Sequence, residues 1–258
     1  MDPFVRLMRR YVVDYTNRQD TGVCVELMEP EYTLRMGPHV LAGREDRYVP
    51  AARKQFGQFP GLCLTVHEIV TNGGRLAMRF SEHGASVRHG GARASWQGIG
   101  LYRWNGVRLL ECQVEQDYLA RRRQLASGVA DPVPPPAVAP WDTMPAPADP
   151  GAEKVVREWI EAGLPGDVVR FDDGASAGLQ DGPVRVVDDL FSAGRSVAFR
   201  VTSTGPYAGG LDGVAPAAAG APSTLPMVGI VHVSGARVCG GQVIRDRLGV
   251  ARALAGTG

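Results

Sequence analysis

The stretch QVEQDYLARRRQL at Gln113–Leu125 returns near the end of the chain as QVIRDRLGVARAL at Gln242–Leu254, agreeing in one frame at Gln, Val, Asp, Leu, Arg and Leu. In both places an aspartate ends an apolar, alternating run and precedes a helix-like segment, so the chain closes two folding units in the same way. Between them, residues 126–151 hold eight of the 19 prolines. Proline fixes φ and removes an amide donor, which predicts an extended linker without helix or ladder pairing. The 258 residues also exceed the roughly 100–200 typical of one domain. The expected division is a first domain over 1–128, a Pro-rich linker over 129–151 and a second domain over 152–258.

The first unit begins with a helix over Phe4–Gln19, whose apolar residues Phe4, Val5, Leu7, Met8, Tyr11, Val12 and Tyr15 recur at helical spacing. A short helix over Asp20–Met28, a strand over Tyr32–Met36 and a helix through Tyr48 and Phe56, stopped by Pro60, follow. Four long strand candidates come next, LCLTVHEIVT, GRLAMRFSEHG, ASWQGIGLYRW and VRLLECQVEQD, with Asn105–Gly106 a hairpin turn between the last two. The second unit repeats the order in brief: a helix over Glu153–Gly163, then strands DVVRF, PVRVVDDLF, GRSVAFRVTSTG, TLPMVGIVHV and ARVCGGQVIRD. Arg79 aligns with Arg200 and Gly84 with Gly205, but the second copy has no room for the helix at 46–58. Helices first and an antiparallel sheet afterwards make each unit α+β.

Lys plus Arg number 28 against 27 Asp plus Glu, so no overall field draws the chain to nucleic acid or to an anionic membrane. The run Arg121–Arg123 reads as a solvated helix face, and the expected partner is a small-molecule substrate. Cys24, Cys63, Cys112 and Cys239 are scattered without a CxxC pair and read as buried free thiols of a reducing, cytoplasmic protein. No apolar run approaches the roughly 20 residues of a spanning helix. His67, His83 and His89 lack metal-ligand spacing, so no metal and no cofactor is expected.

The Gly43-Arg44 turn, Phe59-Pro60, GGRLAMRF with Arg79, and the final Asp-x-Leu-x-x-x-Arg-Gln-Leu at Asp117–Leu125 resemble the SnoaL-like polyketide cyclase branch of the nuclear transport factor 2-like superfamily. The resemblance covers most of residues 4–128 and, more weakly, 152–256. It implies two tandem cone-shaped α+β barrel domains, each with N-terminal helices on a curved antiparallel sheet. It also implies that Asp117 faces a pocket as general acid/base. The chain departs from the family at GGARASWQG and at Gln113, where a tryptophan is customary, so the substrate of known cyclases does not carry over. The fold hosts isomerases, cyclases, epoxide hydrolases and binding modules alike.

Strand alternation puts Glu111, Gln113, Glu115 and Asp117 on one face and Leu110, Cys112, Val114 and Gln116 on the other. Read functionally, Asp117, helped by Glu115 or His83, sits at a pocket mouth where desolvation and a neighbouring like charge raise a carboxyl pKa toward neutrality. Read structurally, that face is wet and its acids pair with Arg121–Arg123. Tyr15, Trp96 and Tyr102 supply aromatic surface for a cavity or for ordinary core, Gln113 is a polar contact for a ligand, and Arg79 meets either a carboxylate such as Glu111 or a ligand.

In the second unit, Asp246 shares its face with Gln242 and Ile244, and the stretch GGLDGVAPAAAGAPS points to a smaller or collapsed pocket. Its sheet is expected to pack on the first as related homodimers pair, a pseudo-dimer in one chain, with a homodimer also open. The reading is a cofactor-independent acid/base isomerase or cyclase for a hydrophobic oxygenated molecule such as a polyketide-like secondary metabolite. A non-catalytic binding or assembly module is the alternative. Epoxide hydrolysis, for which Arg79 and Asp117 offer part of a relay, is a further one.

Overall fold

The computed structural model describes residues 1–166, 168–172 and 178–255. The N-terminal helix α1 (Pro3–Arg10) starts where Asp2 accepts from the amides of Phe4 and Val5, with proline at its first position and Arg9 and Arg10 at its negative end. It widens into one π turn over Tyr11–Thr16. The short helix α2 (Cys24–Leu27) then turns into strand β1 (Met28–Met36), which hairpins into β2 (His39–Ala42), a strand the sequence did not suggest. Helix α3 (Val49–Gln58) is followed by the long meander β3 (Cys63–Thr71), β4 (Arg75–Ser86), β5 (Ala92–Trp104) and β6 (Leu109–Gln116), and helix α4 (Tyr118–Ser127) closes the unit. The second unit runs α5 (Pro150–Glu161), β7 (Val169–Phe171), β8 (Val184–Ala193), β9 (Ser196–Pro206), β10 (Pro222–Ser234), β11 (Arg237–Arg245) and α6 (Arg247–Ala255). The strand expected at 167–171 begins at Asp167, outside the described residues.

The two sheets have the same wiring. Their orders are β2-β1-β6-β5-β4-β3 and β7-β11-β10-β9-β8, and in each the first-laid strand, β1 or β7, lies parallel beside the last, β6 or β11. Register agrees to the residue. Arg79 faces Ile99 and Arg200 faces Val228, and each arginine stands one step past a bulge, at Val66/Glu68 and at Val187/Asp189. Gly84 and Gly205 fall into the matching place. The fold class is thus two tandem cone-shaped α+β units, the second showing no counterpart of β2 or α3 among the described residues.

Each curved sheet wraps its helices with one face, and the opposite faces meet. Leu76, Met78 and Phe80 join Phe4, Met8 and Tyr11 in the first core, and Phe199, Val201 and Met227 join Val156, Trp159 and Ile160 in the second. Between the sheets Val70, Ala77, Ile99 and Leu101 pack on Phe191, Ala198, Val228, Ile230 and Ile244. Close approach needs bare backbone in places: a Cβ at Gly98 would stand 2.6 Å from the Phe80 ring, and one at Gly229 would stand 2.4 Å from the Phe199 ring.

Two expectations need correction. Cys63 and Cys239 are exposed, since Cys63 opens the edge strand β3 and Cys239 is the bulged residue of β11, while Cys24 and Cys112 are buried; all four are free thiols. The proline-rich segment also does pair: the Ala137 amide donates to the Val66 carbonyl at 2.9 Å and that of Ala146 to Thr71 at 3.0 Å, with one helical turn at Pro140–Asp142 between. No helix among the described residues is long and apolar enough to cross a membrane.

Candidate active site

In β4 the residues Leu76, Met78, Phe80 and Glu82 alternate toward the helices, and three of the four are apolar. Glu82 is the exception, 7 % exposed, on the wall of a cavity of about 130 Å³ between the sheet, the π turn and α3. Its Oε2 accepts from Gln55 Nε2 at 2.7 Å. Burial pushes the Glu82 carboxyl up to about 7, against the weaker opposing pull of Arg121 and of the Gln55 hydrogen bond. The group is therefore close to half protonated at neutral pH and can take or give a proton.

The rest of the wall is aromatic and polar. Tyr11, Tyr15 and Tyr48 line it, the Tyr11 and Tyr48 hydroxyls standing 3.2 Å apart. Burial raises all three phenols above the ordinary tyrosine value, so they remain neutral donors across the range where Glu82 titrates. Gln116 lines the far side, its Oε1 accepting from Trp96 Nε1 at 2.7 Å. An acid/base carboxyl beside neutral hydroxyl donors is the equipment for removing a proton next to a carbonyl while the oxygen is stabilised.

Of the eight residues singled out from the sequence, Tyr15 lines this cavity. Asp117 does not. It is 4 % exposed, caps α4 by accepting from the Ala120 amide, and grips Arg247 Nη2 with both oxygens at 2.7 and 2.8 Å. Arg247 in turn reaches Asp172, which Arg245 also holds, so Asp117 belongs to a chain of buried charges between the units. Glu115, 1 % exposed, accepts twice from the Gly37 amide at 2.9 and 3.1 Å and lies 3.6 Å from Arg200; burial pushes it up to about 8. Gln113 donates to Asp189 at 3.3 Å, and Asp189 also binds Arg75 and Arg103.

The remaining four are equally displaced from the cavity. Arg79 pairs with Glu68 at 3.4 Å, and Glu68 meets His232 of the second unit at 3.2 Å. The Arg79–Asp117 part of an epoxide-opening relay is thus not assembled. His83 sits on the outer face of β4, 3.0 Å from Thr65 Oγ1, and burial lowers its pKa. Trp96 packs on Phe59 behind the wall, and Tyr102 fills the core edge-on to Tyr11 at 5.8 Å between ring centres. The face of β6 that carries the acids is therefore the seam between units, while Val114 and Gln116 face the cavity. Sequence reasoning passed over Glu82; the signal for it was a lone carboxylate in the apolar register of β4.

No family model and no curated protein matches the chain. Solved structures do resemble it over about half its length. A candidate SnoaL-like polyketide cyclase from Jannaschia sp. CCS1 is 18 % identical, over 52 % of this chain and 94 % of that one, with a TM-score of 0.45. TsrD from Streptomyces laurentii is 25 % identical over 48 % and 96 %, with a TM-score of 0.43. An LEH-like epoxide hydrolase from M. tuberculosis is 13 % identical over 49 % and 86 %, with a TM-score of 0.42. What the site can do follows from its own residues.

Proposed function

We propose that the first unit is a cofactor-independent acid/base isomerase or cyclase for a small hydrophobic oxygenated molecule, with Glu82 as the acid/base in place of Asp117. The observation that carries this is the single buried carboxyl, held near pH 7, on the wall of an aromatic cavity. Glu82 takes a proton from the carbon beside a carbonyl, Tyr11 and Tyr48 donate to the developing enolate oxygen, and the same carboxyl returns the proton elsewhere. Gln55 donates to one carboxyl oxygen, and the Trp96 side chain also hydrogen-bonds to Glu82, so the two hold the carboxyl at the cavity wall. At about 130 Å³ the cavity compares with the roughly 150 Å³ engineered void that takes up benzene, so it fits one ring of a substrate rather than a fused polycycle.

The second unit is read as a degenerate copy and the chain as an internal pseudo-dimer. Its shared sheet order and bulge register support this, as do Trp159 and Phe199 meeting edge-on at 6.2 Å within its interior.

The test is α-proton exchange of a small cyclic ketone such as cyclohexanone in deuterated water, followed by proton NMR. Wild-type protein should exchange the α-protons, and Glu82→Gln should lose about 10²–10⁴-fold of the rate. The wild-type rate should rise with pH through about 7 as Glu82 ionises. A wild-type rate equal to that of the variant would leave a binding module as the reading.

A further inference from the structure

Against the outer side of the cavity lies a groove of about 550 Å³ whose one wall is first-unit surface and whose other wall is α6 of the second unit. Met36, Gln116 and Tyr118 line both the groove and the Glu82 cavity and stand as the partition between them. The groove carries charges of both signs. Glu115 is held by the Gly37 amide and Arg200, and Asp246 accepts from the Gly249 amide, so both acids have partners of their own. The cations of the lining are Arg121 and Arg252.

Arg121 is half-buried, its guanidinium carbon 4.0 Å from the ring centre of Tyr118 and 4.9 Å from that of Trp96. It forms no ion pair among the described residues; the charged side chains acting on it are Glu82, from inside the cavity, and the like charge of Arg252. Arg252 is the arginine shared by the doubled phrase, in the place of Arg123. Arg123 is tied to Asp131 at 2.5 Å, whereas Arg252 is exposed on α6 toward the groove. Two guanidiniums from different units facing one groove repel each other until an anion lies between them, and the planar fork of each suits a carboxylate. A dianion suits the place less, since Asp246 and Glu82 flank it.

We propose that this groove is the entrance to the cavity, and that Arg121 and Arg252 bind the carboxylate of a substrate whose apolar ring end passes Tyr118 toward Glu82. The substrate is then a hydrophobic monocarboxylic acid, and the second unit supplies part of its binding site. This rests on the reading of Glu82 as the reactive group.

Titration calorimetry with 3-phenylpropanoate, its neutral amide and 2-phenylethyl phosphate tests the proposal. The wild type should bind the carboxylate at least tenfold more tightly than the amide. Arg252→Gln, a change at an exposed position, should bring that preference below threefold, and Arg121→Gln should do the same. Glu82→Gln should keep it, and wild-type protein that shows the preference but no α-proton exchange sinks the chemistry at Glu82 alone. Equal binding of acid and amide, no binding of either, a preference that survives Arg252→Gln, or a phosphate bound tenfold more tightly than the carboxylate would each overturn the entrance and its ligand class.

Discussion

Glu82 and Ser203 occupy one address in two sheets. Glu82 lies across from Trp96 on β5, Ser203 lies across from Leu225 on β10, and both are two residues before the glycine that the repeats share. In the first unit the π turn and α3 roof this position and leave a cavity. In the second no counterpart of α3 stands among the described residues, and Gln180 comes down on the sheet, its Oε1 accepting from Ser203 Oγ at 2.7 Å. A strand address therefore does not make a site. What makes one is an ionisable group beside space that the rest of the unit keeps open.

That contrast can be broken most sharply at the two residues themselves. Glu82→Gln should cost about 10²–10⁴-fold in α-proton exchange, while Ser203→Ala should change it less than twofold. If both variants lost activity alike, the second unit would have to take part in the chemistry.

The doubled aspartates come next. Asp117→Asn keeps a capping side chain but strands buried Arg247, and should cost about 3 kcal/mol in urea unfolding. Asp246→Asn replaces one good cap with another and should cost under about 1 kcal/mol. Equal costs would deny the difference between a buried ion pair and a plain helix cap.

A third comparison uses pH. Glu82 has a folded pKa of about 7, above the ordinary 4.5, so between these values the unfolded chain ionises while the folded one holds its proton. Folding stability should thus fall as pH rises from 4.5 through 7, by up to roughly 3 kcal/mol from this group. Glu82→Gln should reduce that slope, leaving the part that buried Glu115 contributes, and Ser203→Ala should leave it unchanged, as denaturant midpoints at pH 5 and pH 8 would show.

A pair of effects smaller than those of the buried ion pair and of the titration belongs to two glycines. Gly229→Ala drives a methyl into Phe199, and Gly100→Ala at the matching place drives one within 2.8 Å of the Tyr102 hydroxyl. Each should cost about 2 kcal/mol in thermal unfolding. A much lower cost at Gly100 would mean that the open cavity lets Tyr102 move where Phe199 cannot.

Much of the architecture was legible. Alternating strands and the paired Arg79/Arg200 and Gly84/Gly205 signals fall into register in the structure. The site was less so, and the reason lies in β6. Alternation separates Gln113, Glu115 and Asp117 from Cys112 and Val114, but it cannot say which set faces a cavity when both faces of the sheet are covered. Polarity suggested the acids; here they cross-link two units, and Val114 with Gln116 lines the cavity. Glu82 followed the opposite logic, a charge among hydrocarbons. The strand β2 and the widened turn at Tyr11–Thr16 left no periodic mark at all.

The proline-rich segment bears on how the molecule meets copies of itself. The outermost strand of the first sheet, β3, would offer a row of open amides and carbonyls to any passing strand. The bonds from Ala137 and Ala146 take up two of its carbonyls, and the prolines around them present no amide to a further chain. The connection between the units thus also ends the sheet, and a variant with its prolines replaced by serine should be more prone to fibrillar self-association, even where each unit still folds.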